Sequence, residues 1–317
     1  MKFSYSSLQR FKDCMKKYYH ADIEKVYTRK RPTYFVIGSA VHKFIEVYYT
    51  TQGNQKLAKN SAEAIFKNVD TGIMTADEIH NLEVDKHMVL GICEAYPKFY
   101  EQDFQEYTTF LTEQSFSMKM SIKREPSKDI HEYRGYIDLI VQDAAGEWWV
   151  FETKTASAQA LNKTYFDKVH IDSQVLGYMH AAKEIIGEFP KGVIYNTIKK
   201  PGIRLRKGES KGAYQKRVFT EYDLYGQQKQ YFQRKVIEIS RKELSQWKFD
   251  ALAWMGMVSN RVHAWNAKGE GRYCWPKNTG SCSSKFGACE YLSACITGKY
   301  SRLLYESEKT KLNGEGS

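Results

Sequence analysis

No apolar run in this chain approaches the roughly 20 residues that a bilayer-spanning helix needs. The opening Met1-Lys2-Phe3-Ser4 leads into no apolar signal core. Neither membrane insertion nor export is expected. A cytoplasmic protein is the expectation, or one of the host cytoplasm if the source is viral. No Gly-X-X-X-X-Gly-Lys-Ser/Thr phosphate loop is present, so any nucleotide-driven motor acting with this protein is another chain. No two cysteines stand two to four residues apart, the usual spacing in structural zinc sites. No internal repeat is visible.

Acidic excess is lacking too. Lysine and arginine number 48 against 37 aspartates and glutamates, a net charge of +11. Such a balance favours polyanionic partners. The charge is concentrated: residues 199–217 hold Lys199, Lys200, Arg204, Arg206, Lys207, Lys211, Lys216 and Arg217 against Glu209 alone. Lys12, Lys16 and Lys17 form a second group. A solvated loop and helix face would look the same, but nucleic-acid contact is the better reading of this pattern.

Periodicity gives an order of elements. Leu8, Phe11, Met15, Tyr18 and Tyr19 recur at helical spacing over 4–19, with Ser4, Ser6 and Ser7 as candidate caps. A second helix begins near Phe35 and carries His42 and Glu46 one turn apart. Residues 55–107 read as mostly helical, punctuated by Gly72 and Gly91. Alternation then predicts strands over 109–120, 131–142 and 147–153, with Ala144-Ala145-Gly146 as a tight connection. A helix over 173–186 and a strand over 192–198 follow, which indicates a mixed α/β sheet core flanked by helices. Residues 221–267 are expected to return to helix. Beyond them the chain is cysteine-rich and irregular, and after 306 it is polar and expected to fray.

The chemistry centres on Trp148-Trp149-Val150-Phe151-Glu152-Thr153-Lys154. Residues two apart on a strand face the same side, so Glu152 and Lys154 project together from an apolar strand. Buried charge is costly unless paired or given a task. Asp138 sits at a late position of the preceding strand and could converge on Glu152 if the two pair as a hairpin. Two carboxylates that hold a hard cation and a lysine that steadies developing charge suit phosphodiester hydrolysis. Alone, Glu-X-Lys is most often a surface salt bridge. Here it stands in an ordered set: Gly38-Ser39-Ala40-Val41-His42, Gly135-Tyr136-Ile137-Asp138, Glu152-Thr153-Lys154 and Gln174-Val175-Leu176-Gly177-Tyr178.

This set resembles the PD-(D/E)XK nuclease superfamily, in particular its RecB-like branch, with AddB nuclease domains and CRISPR-associated RecB-like exonucleases. The resemblance implies a restriction-endonuclease-like core and cleavage of DNA at ends or in single strands, dependent on Mg²⁺ or Mn²⁺. It implies a metal shell of His42, Asp138, Glu152 and the Thr153 carbonyl, with Lys154 as the catalytic lysine. Gln174 and Tyr178, one helical turn apart, would support the site and touch DNA. Lys199, Lys200, Arg204, Arg206 and Lys207 are the candidate backbone-binding residues of a loop beside the DNA. Tyr18, Tyr19, Tyr195 and Tyr214, interleaved with basic residues, are candidate base-stacking platforms. An imidazole ligand should favour Mn²⁺ over Mg²⁺.

Six cysteines are present: Cys14, Cys93, Cys274, Cys282, Cys289 and Cys295. Their crowding near the C-terminus suggests metal ligation rather than a disulfide framework. Cys14, introduced by Ser6 and Phe11, with Cys282, Cys289 and Cys295 resembles the iron–sulfur subset of the same branch, which implies a 4Fe–4S cluster tying the chain ends together. Met15 stands where that subset often has proline, and the Cys282–Cys289 interval is long for it. These departures leave Cys274 as an alternative to Cys282, and zinc as the rival metal. The expected organisation is a single nuclease domain over 1–317. Within it lie a helical insertion (50–108), a catalytic α/β core (109–200), a basic loop and helices (201–270), and a cluster segment (271–300) closing onto Cys14. The leading function is a DNA exonuclease of recombination or repair, acting alone or with a helicase or recombination partner. The alternatives are an endonuclease or flap nuclease on the same core, and a non-catalytic DNA-binding subunit.

Overall fold

The computed structural model describes residues 1–30, 32–121, 130–156, 161–224, 228–268, 274–284, 287–302 and 304–307. The expected fraying beyond 306 falls, from 308 on, outside the described residues. In chain order the elements begin with β1 (Lys2–Phe3), α1 (Tyr5–Asp13), α2 (Met15–Tyr18), β2 (Val26–Thr28), α3 (Thr33–Thr50), α4 (Gln55–Lys67), α5 (Ala76–Phe99) and α6 (Asp103–Glu106). There follow β3 (Tyr107–Met120), β4 (His131–Asp143), β5 (Trp148–Ala156), α7 (Lys163–Asp167), α8 (Ser173–Ile186), β6 (Gly192–Lys199) and α9 (Lys211–Asp223). The chain continues through α10 (Gln228–Tyr231), β7 (Phe232–Glu238), α11 (Arg241–Lys268), β8 (Ser283–Ser284), β9 (Gly287–Ala288), α12 (Leu292–Thr297) and β10 (Tyr305–Ser307). The mixed sheet with flanking helices is the architecture the sequence predicted.

The chain divides into two compact units, one of residues 32–116 and 136–247, the other of 1–31, 117–135 and 248–317. In the first, β4 and β5 pair antiparallel, β5 and β6 parallel, and β6 and β7 antiparallel. Leu139, Val141, Trp149 and Phe151 join one buried cluster with Val41, Phe44, Tyr48 and Tyr49 of α3 and Val89, Ile92 and Tyr96 of α5. Thr75 and Glu78 cap α5 reciprocally, which satisfies backbone donors left free at a helix start. Gly91 does not interrupt α5. A Cβ there would stand 2.8 Å from the Gln215 carbonyl and from Val218, so glycine lets α9 cross α5 closely.

Two sequence expectations are corrected in this unit. Residues 221–267 are not all helix, because β7 intervenes and forms the edge of the sheet. Its sequence, Phe-Gln-Arg-Lys-Val-Ile-Glu, lacks clean alternation because Val236 is exposed while Arg234 points inward. Gly192 permits the pairing, since a Cβ would meet the Ile237 carbonyl at 2.0 Å. The basic run 199–217 is not one loop either. Ser210 caps α9 by accepting from the Ala213 amide, and Tyr214, Val218 and Tyr222 bury at helical spacing beneath the charges.

In the second unit β1 pairs parallel with Glu132–Tyr133 of β4, and β10 pairs antiparallel with β2. Ser4, of the three candidate serines, caps α1, with Ser7 reciprocating. The helix expected over 4–19 breaks at Cys14, whose backbone is extended (φ −163°, ψ 116°). Among the described residues no helix is long and apolar enough to cross a membrane.

Candidate functional site

The β4–β5 register, Leu139 opposite Phe151, brings Asp138 across from Glu152 one step further along. The two side chains share a face of the sheet, away from Leu139 and Phe151. Asp138 is held from two sides: its Oδ2 accepts from the Thr153 amide at 3.0 Å and lies 3.3 Å from Nδ1 of His42 on α3. Lys154 Nζ contacts Glu152 Oε1 and donates to Gln174 Oε1 at 2.7 Å. Gln174 Nε2 donates in turn to the Tyr178 hydroxyl at 2.8 Å. Gln174 is the second residue of α8, fixed there because Asp172 caps the helix through the Gln174 and Val175 amides. The structure thus gathers His42, Asp138, Glu152, Thr153, Lys154, Gln174 and Tyr178 around one point. Tyr178 is buried.

The electrostatics are unbalanced. Glu152 is wholly buried, and its Oε2 accepts no hydrogen bond. Burial, then the charge of Asp138, pushes the Glu152 carboxyl up to about 7. Burial would also raise Asp138, but His42 and the Thr153 amide outweigh it and hold that carboxyl below its usual range. Burial opposes the charge on His42 and on Lys154. Asp138 overcomes it for the imidazole, and Glu152 for the ammonium, so both pKa values rise. The cluster is a carboxylate-rich pocket whose most buried member lacks a full partner, a condition that a divalent cation would relieve.

One residue here escaped the sequence reading. Glu113 on β3 places a carboxylate oxygen with His42 and Asp138 so that the three ligand atoms lie within 4.8 Å of one another. Burial, then Asp138 and Glu46, push its carboxyl up to about 7. Among the described residues Glu113 is one of three non-glycine residues with positive φ, at 45°. No sequence signal marks it, because acidic residues on an alternating strand usually face water. Glu46 is engaged by Lys43, both carboxylate oxygens accepting at 2.7 Å.

A buried polar network lies on the opposite face of β5. Arg234 donates to Asp103 at 2.7 and 2.9 Å and to the hydroxyls of Tyr49 and Tyr96. Tyr96 accepts from Asn196, which reaches Thr153 Oγ1 at 3.5 Å. The segment that carries Glu152 and Lys154 is therefore braced from beneath.

The basic candidates lie elsewhere in this unit. Arg204, Arg206 and Lys207 line a cavity of about 630 Å³ with His80, Asn81, Val84 and Asp85 of α5, and none of the residues around Asp138 belongs to it. Glu209 fixes this loop by pairing with Arg217 at 2.7 Å and accepting from the Arg206 amide. Lys199 ends β6 with its ammonium over the Tyr231 ring, and the Lys200 amide donates to Ala156. The aromatic candidates are corrected: Tyr18, Tyr195 and Tyr214 are buried, and Tyr19 packs on Trp265 and Trp275. Tyr136, by contrast, is 61% exposed and shares a strand face with Asp138.

The second unit carries five cysteines, all half-buried and free. Cys14 Sγ accepts from the Asn278 amide at 3.3 Å, while Asn278 and Ser281 donate to the Asp13 carbonyl. The Cys289 amide donates to the Cys282 carbonyl at 2.9 Å across the β8–β9 turn. Cys295 Sγ lies 3.5 Å from Nε2 of His20, whose ring stacks on Tyr291. Burial raises the Cys295 thiol, and the charges of Cys14 and Cys282 act on it. Cys289 is raised likewise, with Cys295 among its neighbours. Among the described residues no three cysteine sulfurs lie within 4.8 Å of one another. Cys93 is buried in α5 of the other unit.

The sequence model of the PD-(D/E)XK nuclease superfamily matches residues 2–295. No curated protein matches the chain.

Proposed function

This chain belongs to the PD-(D/E)XK nuclease superfamily, and on that premise we propose that it is a divalent-cation-dependent DNA exonuclease of the RecB-like branch, acting on DNA ends or single strands in recombination or repair. The observation that carries the reading is the convergence of His42, Asp138, Glu152 and Lys154, with a wholly buried carboxylate oxygen that accepts no hydrogen bond. Such an oxygen fits a cation ligand. His42, Asp138, Glu152 and the Thr153 carbonyl supply the ligands.

When bound there, a divalent cation would polarise the scissile phosphate and lower the pKa of a water. Lys154 does the complementary work. Its raised pKa keeps it an ammonium, so it donates toward the charge that grows in the transition state and does not take a proton from the nucleophile. Gln174 fixes where that ammonium points, and Tyr178 fixes Gln174. The His42 imidazole favours Mn²⁺ over Mg²⁺. Tyr136 offers a stacking surface beside the carboxylates, which suits a single strand. Lys199, Lys200, Arg204, Arg206 and Lys207 contact backbone further along the DNA.

Cys14, Cys282, Cys289 and Cys295 fit a 4Fe–4S cluster. Cys14 and Cys282 lie near enough to Cys295 to raise its thiol, and Cys295 near enough to Cys289 to do the same. Cys282 is preferred to Cys274 because it is felt by Cys295. The cluster's role is structural, joining residues near both ends of the chain.

The test uses full-length protein purified without oxygen, with end-labelled linear single- and double-stranded DNA and closed circular DNA, in Mn²⁺ or Mg²⁺. Loss of linear DNA from its ends with the circle intact is the expected result. Cutting of the circle replaces the exonuclease by an endonuclease. No cleavage of any substrate overturns the catalytic reading.

A further inference from the structure

The segment between β6 and α9 holds positive charge that the carboxylate cluster does not use. Ile203 and Leu205 turn inward and pack on the buried core, which leaves Arg204 and Arg206 exposed, with Lys207 after them. The one acid of the segment is taken: the two Glu209 oxygens accept from Arg217 at 2.9 and 2.7 Å. The side chains of Arg204, Arg206 and Lys207 make no hydrogen bond or ion pair with a described residue. Uncommitted guanidinium groups suit a phosphate, which they meet through paired N–H donors. The segment is also held in place. The Arg204 carbonyl accepts from Arg217 at 2.7 Å, and the Ile203 carbonyl from the Tyr214 hydroxyl at 3.2 Å. Such anchoring lowers the cost of ordering the site around a ligand.

These cations line a cavity of about 630 Å³, within the roughly 300–1,000 Å³ typical of small-molecule sites. Val84, Met88, Ile203 and Leu205 give it apolar walls, and Asp85 of α5 lines it too. Asp85 is half-buried and makes no hydrogen bond or ion pair with a described residue. Free cations, apolar walls and one free carboxylate match an anion that is flat, apolar on its faces and carries N–H donors of its own. A nucleotide has these parts. The cavity is not the cation site: α5 and α9 cover the sheet face that Phe151 joins, whereas Glu152 points to the other. We propose that the cavity is a second nucleotide-binding site, in which Arg204, Arg206 and Lys207 hold the phosphate and Asp85 accepts from the edge of the base. Guanine suits Asp85 best, because its N1–H and its N2 amino group lie side by side and meet both carboxylate oxygens. Thymine flanks its one N–H with two carbonyls and is disfavoured. The occupant is one nucleotide unit, either free or part of a single strand. This site goes beyond the nuclease reading, and binding without divalent cation tests it apart from cleavage.

The experiment uses the full chain in EDTA and measures binding by calorimetry. The ligands are dGMP, dTMP, inorganic phosphate and a short single-stranded oligonucleotide ending in dG. One dGMP per chain is expected, with dTMP and phosphate weaker by about tenfold or more. Asp85→Asn should weaken dGMP by about tenfold and leave phosphate unchanged. Arg206→Ala should weaken both by about tenfold, and Lys207→Ala, at a second exposed position, guards against misfolding of that variant. Glu152→Gln should leave dGMP binding as it is, which separates this site from the carboxylate cluster. Binding of the oligonucleotide alone, with the same dependence on Asp85 and Arg206, makes the occupant a nucleotide of the strand and supports the site. No saturable binding of either ligand overturns the inference, as does binding unchanged in Asp85→Asn or in both basic variants. Phosphate as tight as dGMP overturns it as well, because the base is then not read. Each of these failures leaves the nuclease reading standing.

Discussion

Glu152 is the residue on which the site's behaviour turns. Its carboxyl titrates at about 7 in the folded protein because burial, then Asp138, disfavours its charge. In the unfolded chain a glutamate titrates at about 4.3. A folded pKa above the unfolded one stabilises the protein fully below the unfolded value, and that contribution is lost as pH rises through the folded value. Without divalent cation, the melting temperature should therefore fall between about pH 5 and pH 8. Glu152→Gln should flatten that fall, and added Mn²⁺ should reverse it by taking the proton's place. Thermal melts across this window check it; parallel curves for wild type and variant would contradict it. Glu113 shifts in the same direction and adds to the slope. At this scale much was legible. Asp138, Glu152 and Lys154 were marked by charge on apolar strands, His42 and Gln174 by their place in the ordered motifs. Glu113 was not, because alternation on β3 does not say which face is buried and nothing in Thr112-Glu113-Gln114 announces a left-handed backbone.

At the scale of elements, the strand that carries the site is supported by a network no motif contains. Arg234 of β7 pairs with Asp103, the side chains being 11% and 4% exposed. Removing one partner of such a pair leaves the other charged in a dry interior. Arg234→Ala should destabilise the protein by about 3–5 kcal/mol in chemical denaturation, and a cost under about 1 kcal/mol would contradict the pairing. β7 itself was invisible in the sequence. An inward arginine and an outward valine reverse the usual pattern, and only the register with β6 and the space left by Gly192 reveal it. Cys14 offers the converse case. Helical periodicity runs through it, yet the backbone extends there and its sulfur meets the Asn278 amide.

On the scale of the whole molecule, hydrogen bonds join Asp13 and Cys14 to Asn278 and Ser281 across most of the sequence. Closure of so long a loop by the proposed cluster would remove unfolded-state entropy. Cys289→Ala, purified without oxygen, should lose bound iron and visible absorbance and melt about 5 °C or more below wild type. Full iron content with an unchanged melting temperature would remove Cys289 from the ligand set. The sheet and its flanking helices were legible because strand and helix periods are strong over 131–156 and 173–198. The division into two units was not, since it depends on contacts between segments far apart in sequence.

The central claim is that Lys154, held between Glu152 and Gln174, serves cleavage rather than folding. Single-turnover hydrolysis of end-labelled linear DNA in Mn²⁺, wild type against Lys154→Ala, tests it most directly. The account predicts a loss of about 10³-fold in rate with Mn²⁺ binding retained. A variant that cuts within about tenfold of wild type would contradict it.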